Sequence, residues 1–189
     1  FSHVSTAYVA GRRRGSVPET PLTDAFGFSS CYEQTKYEGE RLVQAARDEL
    51  PISVYRPGMI VGHSRSGAIR TFNTLYYPLR LYLTGRLRGL PARRSLRVNL
   101  VPVDYVAEAI ARLTFEPQAE GLTFHLTAPD VSLPTAGELI AATRQWARER
   151  LGLRLPRLWF LPLPLPKTLN HARSGAARWG SAMGAFSDL

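Results

Sequence analysis

Tyr32 and Lys36 stand four residues apart in the segment Cys31-Tyr32-Glu33-Gln34-Thr35-Lys36-Tyr37-Glu38-Gly39-Glu40-Arg41-Leu42-Val43. Glu, Gln, Lys, Ala and Leu crowd positions 33–50 with no proline before Pro51, so a helix is expected. Helical spacing of four puts the phenol and the ammonium on one face. A unit positive charge about 4 Å away is worth roughly 4 kcal/mol at an effective dielectric of about 20. That is enough to lower a phenol pKa from about 10 by up to roughly three units, so such a tyrosine can exchange a proton near neutral pH. The same periodicity predicts Glu33, Glu38 and Glu40 on the solvent side of the helix and Leu42, Val43 and Ala46 as its buried stripe.

A Tyr-x-x-x-Lys pair arises by chance in many chains, and its setting gives it weight. Upstream, residues 1–9 form a β-prone run that ends in the hydroxyl pair Ser5-Thr6. Downstream, Ile52-Ser53-Val54-Tyr55-Arg56 reads as a strand stopped by Pro57-Gly58. Strand, helix, strand is a parallel crossover unit, and Thr6 near the end of the first strand lies where open α/β sheets place their ligands.

The hydroxyl pair, the Tyr32/Lys36 helix and Arg56-Pro57-Gly58-Met59-Ile60-Val61-Gly62 together resemble the extended short-chain dehydrogenase/reductase superfamily. Val4-Ser5-Thr6-Ala7-Tyr8-Val9, the segment Tyr32 to Glu40, and Val61-Gly62-His63-Ser64-Arg65-Ser66-Gly67 look most like its fatty acyl-CoA reductase (male sterility) and thioester reductase branch. Gly58 departs from a serine common in that branch, and Cys31 from an asparagine. The resemblance covers residues 1–126. It implies an α/β fold: the C-terminal half of a doubly wound NAD(P)-binding Rossmann sheet, with a substrate-capping insertion at about 64–97 and a small, mainly helical substrate lobe over 127–189.

By that resemblance, the Thr6 hydroxyl orients the substrate carbonyl, Tyr32 donates the proton, and Lys36 lowers the phenol pKa and holds the nicotinamide ribose. Pro57, Gly58, Met59 and Ile60 line the nicotinamide, and Ser5, His63 and Ser64 border the substrate. NADPH is the implied cofactor, with NADH as the alternative. The implied substrate is a fatty acyl-CoA or a carrier-bound thioester, reduced to an aldehyde or alcohol. A sugar-nucleotide epimerase or dehydratase, or a hydroxysteroid-type dehydrogenase, uses the same three residues, although those enzymes commonly carry Val-Tyr-Gly where this chain has Tyr8-Val9-Ala10-Gly11. A dinucleotide-sensing or scaffold protein is the non-enzymatic alternative, and intact Thr6, Tyr32 and Lys36 argue against it.

Length and composition bound the rest. A chain of 189 residues with 44% hydrophobic content can bury a core. It opens on Phe1 in what reads as mid-strand, and it contains no G-x-G-x-x-G. The glycine-rich half that carries the pyrophosphate site in the resembled enzymes is therefore expected to lie outside this chain, which by itself should bind NADPH poorly and be inactive. One cysteine, Cys31, excludes an internal disulfide, and four scattered histidines offer no metal-ligand spacing, so a cytoplasmic, metal-free protein is expected.

The net charge of +9 suits an anionic partner, and no nucleic-acid-binding signature accompanies it. Arg86, Arg88, Arg93, Arg94 and Arg97 are a candidate rim for a phosphorylated coenzyme or carrier. Residues 68–90 read as an aromatic-rich helical segment broken at Pro78. Asp104 is expected to cap a helix carrying Val106, Ala109, Ile110 and Leu113 on its buried face. A strand over 122–126 and a helix over 135–151 follow. The apolar stretch 155–166 holds four prolines, which excludes a spanning helix of the required ~20 residues; docking on the substrate lobe is expected, with membrane contact as an alternative.

Overall fold

The computed structural model describes residues 1–72 and 75–161. Three parallel strands, β1 (Ser2–Val4), β2 (Ser53–Pro57) and β6 (Thr123–Leu126), form the main sheet in the order β1-β2-β6. Their register is set by pairs such as His3 with Val54 and Arg56 with His125. β3 (Met59–Val61) pairs in parallel with β5 (Leu100–Pro102), and β4 (Gly89–Leu90) with β7 (Trp159–Phe160). The helices are α1 (Cys31–Ala45), α2 (Tyr76–Leu83), α3 (Val103–Thr114) and α4 (Ala136–Leu151). Parallel pairing requires crossovers, and α1 supplies the one from β1 to β2.

α1 starts at Ser30, whose hydroxyl accepts from the Glu33 amide at 3.3 Å, while the Glu33 carboxylate accepts from the Ser29 amide at 2.6 Å. The buried side of α1 differs from the expected one. Tyr37 and Glu40 are its buried residues, whereas Leu42 is 69% exposed and Val43 and Ala46 are only half-buried. Glu40 is enclosed because Arg56, on the neighbouring strand, arrives with a counter-charge.

The core is built from Tyr55, Val101, Val106 and Leu126, with Ile60, Ala109, Ile110 and Leu113 packed against it. The apolar stripe of α3 thus sits as its periodicity predicts. Asp104, however, does not cap α3. Pro102 occupies the cap position, and Asp104, in the first turn, accepts instead from the Ser64 amide at 2.8 Å and the Ser64 hydroxyl at 2.6 Å. α4 begins with a reciprocal capping box between Thr135 and Glu138 and ends at Gly152 in the left-handed conformation.

Pro78 does not break α2. It falls in the first turn, where its missing N–H has no intrahelical carbonyl to lose. The buried Tyr82 of α2 donates its hydroxyl to the Pro156 carbonyl at 2.6 Å, and the strand pair β4–β7 anchors the chain just beyond. The tail therefore docks as far as Leu161; the rest of the proline-rich stretch and everything after it lie outside the described residues. Among the described residues, no helix is long and apolar enough to cross a membrane.

Candidate functional site

β1 and β2 run parallel and end together, which brings Ser5-Thr6 and Pro57-Gly58 to the same edge of the sheet. Ser5 continues the ladder by donating its amide to the Tyr55 carbonyl at 2.8 Å. Thr6 then caps a short 3-10 turn, Ala7–Ala10, its hydroxyl oxygen accepting from the Tyr8 amide at 3.3 Å. Thr6 is only 5% exposed, and among the described residues its hydroxyl donates to nothing. The turn is closed by Gly11 at φ 58°, where a side chain would meet the Gly27 carbonyl oxygen at 2.2 Å.

This turn packs against the start of α1. Burial pushes the Tyr8 phenol above its ordinary value, with Glu33 and Tyr32 nearby adding to the rise. Tyr32 is 54% exposed, and the Lys36 ammonium lies 6.0 Å from the centroid of its ring. Lys36 is likewise exposed. Tyr32, Lys36 and Thr6 thus come from adjoining elements at the strand ends, as the spacing along the chain anticipates.

Beneath them lies a buried polar cluster that charge patterning alone did not reveal. The Glu40 carboxylate accepts from the Ser5 hydroxyl at 2.6 Å, from Gln44 Nε2 at 2.6 Å and from Arg56 Nη2 at 2.6 Å, with Arg56 Nε 3.1 Å from both oxygens. Arg56 Nη1 donates to the Glu19 carbonyl at 2.8 Å and lies 3.2 Å from His125 Nε2. Burial holds the His125 imidazole below its ordinary value and the Arg56 charge lowers it further, while Glu19 and Glu40 oppose the shift. His3 is lowered by burial as well, partly offset by Glu40 and reinforced by Lys36. Ser5, predicted to border the substrate, is buried and spends its hydroxyl proton on Glu40 inside this cluster.

Pro57 and Gly58 are buried at the end of β2. A β-carbon on Gly58 would stand 2.6 Å from Asn99 Oδ1, which explains why this chain carries no serine there. Asn99 accepts from the Met59 amide at 2.9 Å through its carbonyl and from the Ala128 amide at 3.1 Å through its side chain, pinning the segment to the residues after β6. Met59 and Ile60 belong to β3, and Ile60 packs on the core.

The loop 62–68 is internally bonded. His63 Nδ1 accepts from the amides of Arg65 at 3.2 Å and Ser66 at 3.4 Å. Both polar groups of Ser64 go to Asp104, so Ser64 fixes the loop and has no free hydroxyl for a substrate. These bonds hold the Asp104 carboxyl down at about 2.

The phenol of Tyr32 and the ammonium of Lys36 are exposed near the strand ends, where α/β sheets bind nucleotides, whereas Thr6, Pro57 and Gly58 are buried. Among the described residues, no group of three or more His, Cys, Asp or Glu could hold a metal.

Known proteins resemble this chain in sequence and fold. A non-canonical nonribosomal peptide synthetase, FrzA, from a Cladobotryum species is 30% identical over 182 residues, covering 88% of this chain and 17% of that protein. The L-2-aminoadipate reductase of Schizosaccharomyces pombe is 37% identical over 98 residues, covering 51% of this chain and 7% of that protein. This chain thus spans less than a fifth of either relative. The crystal structure of the terminal R domain from the myxalamid PKS-NRPS biosynthetic pathway superposes with a TM-score of 0.66 at 28% identity, over 99% of this chain and 43% of that one. Residues 1–110 match the NAD-binding family model described as male sterility protein. With more than half its length inside that match, the chain belongs to the NAD-binding male sterility protein family, on a Rossmann-type fold.

Proposed function

We propose that this chain carries the catalytic residues of an NAD(P)H-dependent reductase of the extended short-chain dehydrogenase/reductase type, acting on a carrier-bound or coenzyme A thioester. The observation that carries the reading is the exposed Tyr32–Lys36 pair beside the Thr6 turn, at the common end of β1 and β2. A peptide synthetase and an aminoadipate reductase among the relatives favour a thioester over a sugar nucleotide.

The reduced nicotinamide, NADPH by preference, supplies hydride to the carbonyl carbon. As negative charge develops on the carbonyl oxygen, the Thr6 hydroxyl donates a hydrogen bond to it and Tyr32 delivers the proton, giving a hemithioacetal. Lys36 places positive charge beside the phenol and reaches the ribose. Collapse of the hemithioacetal breaks the C–S bond, returning the thiol and leaving an aldehyde. Further reduction of the aldehyde to an alcohol would need a second NADPH to replace the oxidised cofactor and supply another hydride, with Tyr32 again giving the proton. Pro57, Gly58, Met59 and Ile60 form the wall behind the nicotinamide, and His63, with Nε2 free of bonds among the described residues, faces the substrate side.

Tyr32→Phe in the intact enzyme tests this. Turnover of an acyl thioester, followed by NADPH oxidation, should fall by about 100-fold or more while cofactor affinity is kept. Near-normal turnover refutes the reading, and UDP-sugars assayed in parallel decide against the thioester if they are consumed instead.

A further inference from the structure

Every bond of the buried Glu40 carboxylate, apart from that to Gln44, leads to a residue next to one assigned to the reaction. Ser5 precedes Thr6, and its hydroxyl donates to Glu40 Oε2 at 2.6 Å. Arg56 precedes Pro57, and its guanidinium holds Glu40 through Nε and Nη2. Glu40 itself follows Lys36 by four residues and Tyr32 by eight, so all three share one stripe of α1. His3 on β1 senses both the Glu40 and the Lys36 charge, so the carboxylate and the ammonium act on the same neighbour. A buried ion pair between α1 and β2 is not required for the fold, because apolar pairs of similar volume commonly stabilise as well or better.

We propose that Glu40 is the positioning residue of this site: its carboxylate, gripped by Arg56 and Ser5, sets α1 and the β1 and β2 ends in the register that gathers Tyr32, Lys36 and Thr6 on one carbonyl, and supplies the negative charge that balances Arg56 and Lys36. The inference rests on the Tyr32–Lys36 reading and adds to it a second layer of control. The charges facing Glu40 are Arg56 from β2, His3 from β1, His125 from β6 behind Arg56, Glu19 from the loop over that arginine, and Lys36 on its own helix. Removing the carboxylate leaves the buried Arg56 charge unbalanced.

Glu40→Gln, with Glu40→Asp as the charge-retaining control, tests this in the intact enzyme. Glu40→Gln should lower kcat by about 10- to 100-fold with a much smaller change in KM for the cofactor, since a shift of about 1 Å in catalytic groups has that effect. Glu40→Asp, which keeps the charge, should recover most of the lost kcat. Ser5→Ala, which removes one grip without unpairing a charge, should lower kcat several-fold in a protein that still folds, and it decides the matter if Glu40→Gln does not fold.

A folded Glu40→Gln or Ser5→Ala enzyme with wild-type kcat overturns the inference, leaving the cluster a simple staple. Should Tyr32→Phe also remain active, the proposed function falls with it. An inactive Tyr32→Phe beside a normal Glu40→Gln refutes the positioning role alone.

Discussion

Arg56 Nη2 lies 2.6 Å from Glu40 Oε1, with both side chains almost fully enclosed. Their partners, Ser5, Gln44 and the Glu19 carbonyl, satisfy much of what remains of the hydrogen-bonding capacity of the pair. The ion pair joins the helix that carries Tyr32 and Lys36 to the strand that ends in Pro57.

Breaking one half of this pair strands the other charge in the interior. Arg56→Met and Glu40→Leu should each destabilise the protein by about 3–5 kcal/mol, and the double replacement by much less than the sum. Urea denaturation of the four proteins measures the coupling. Additive losses would mean that the two groups do not depend on each other.

Restoring the family's serine at position 58 should do harm here. Gly58→Ser brings a β-carbon to 2.6 Å from Asn99 Oδ1 and 3.1 Å from the Asn99 carbonyl oxygen, so the asparagine must give way and its bond to the Ala128 amide weakens. A loss of about 1–3 kcal/mol is expected. Asn99→Gly in the same chain should recover part of it, as read by the shift in denaturation midpoint. No recovery would place the strain elsewhere.

His3 and His125 both have folded values lowered from 6.5, chiefly by burial. The unfolded chain then takes up protons first as pH falls. Their contribution to stability is fully present above about 6.5 and lost below it, as the folded values are approached. Melting temperature should drop between pH 7.5 and pH 5.5, and the double variant His3→Asn, His125→Asn should flatten that drop. An unchanged slope assigns the acid sensitivity to other groups.

Asp104 behaves in the opposite range. Its folded value of about 2 lies below the ordinary 3.8, first because of the Ser64 hydroxyl and then the Ser64 amide. The stabilisation is present above the ordinary value and disappears as pH falls through about 2. Ser64→Ala should raise the Asp104 titration toward the ordinary carboxylate range in an NMR pH series and loosen the 62–68 loop. A titration that stays low would show that the helix start alone holds it.

Tyr82→Phe removes the bond to the Pro156 carbonyl without changing the packed ring. A cost of about 1 kcal/mol is expected, together with faster amide exchange at residues 159–161, whose strand pairing that bond supports. Unchanged exchange there would show that β4–β7 pairing is self-sufficient.

Local features of the fold were legible along the chain. The strand-helix-strand order, the helix face of Val106, Ala109, Ile110 and Leu113, and the helix over 136–151 all depend on periodicity, breakers and caps within a few residues of one another. The placement of the candidate residues was legible to the same extent, because Tyr32 and Lys36 need only one helix and Thr6 only the end of a strand. Pro78 misled because proline breaks a helix interior but is accepted in its first turn, and the chain does not announce which turn it will occupy.

Residue type and spacing thus determined the elements that bear Thr6, Tyr32 and Lys36. Tertiary structure decided which charged groups go inside and which hydroxyls remain free. Glu40 looked like a solvent residue because burying a lone carboxylate is prohibitive, and only the arrival of Arg56 from a strand sixteen residues away changes that balance. The hydroxyls of Ser5 and Ser64 are bonded for the same reason: Glu40 and Asp104, distant in the chain, accept their protons, while Thr6 keeps its own.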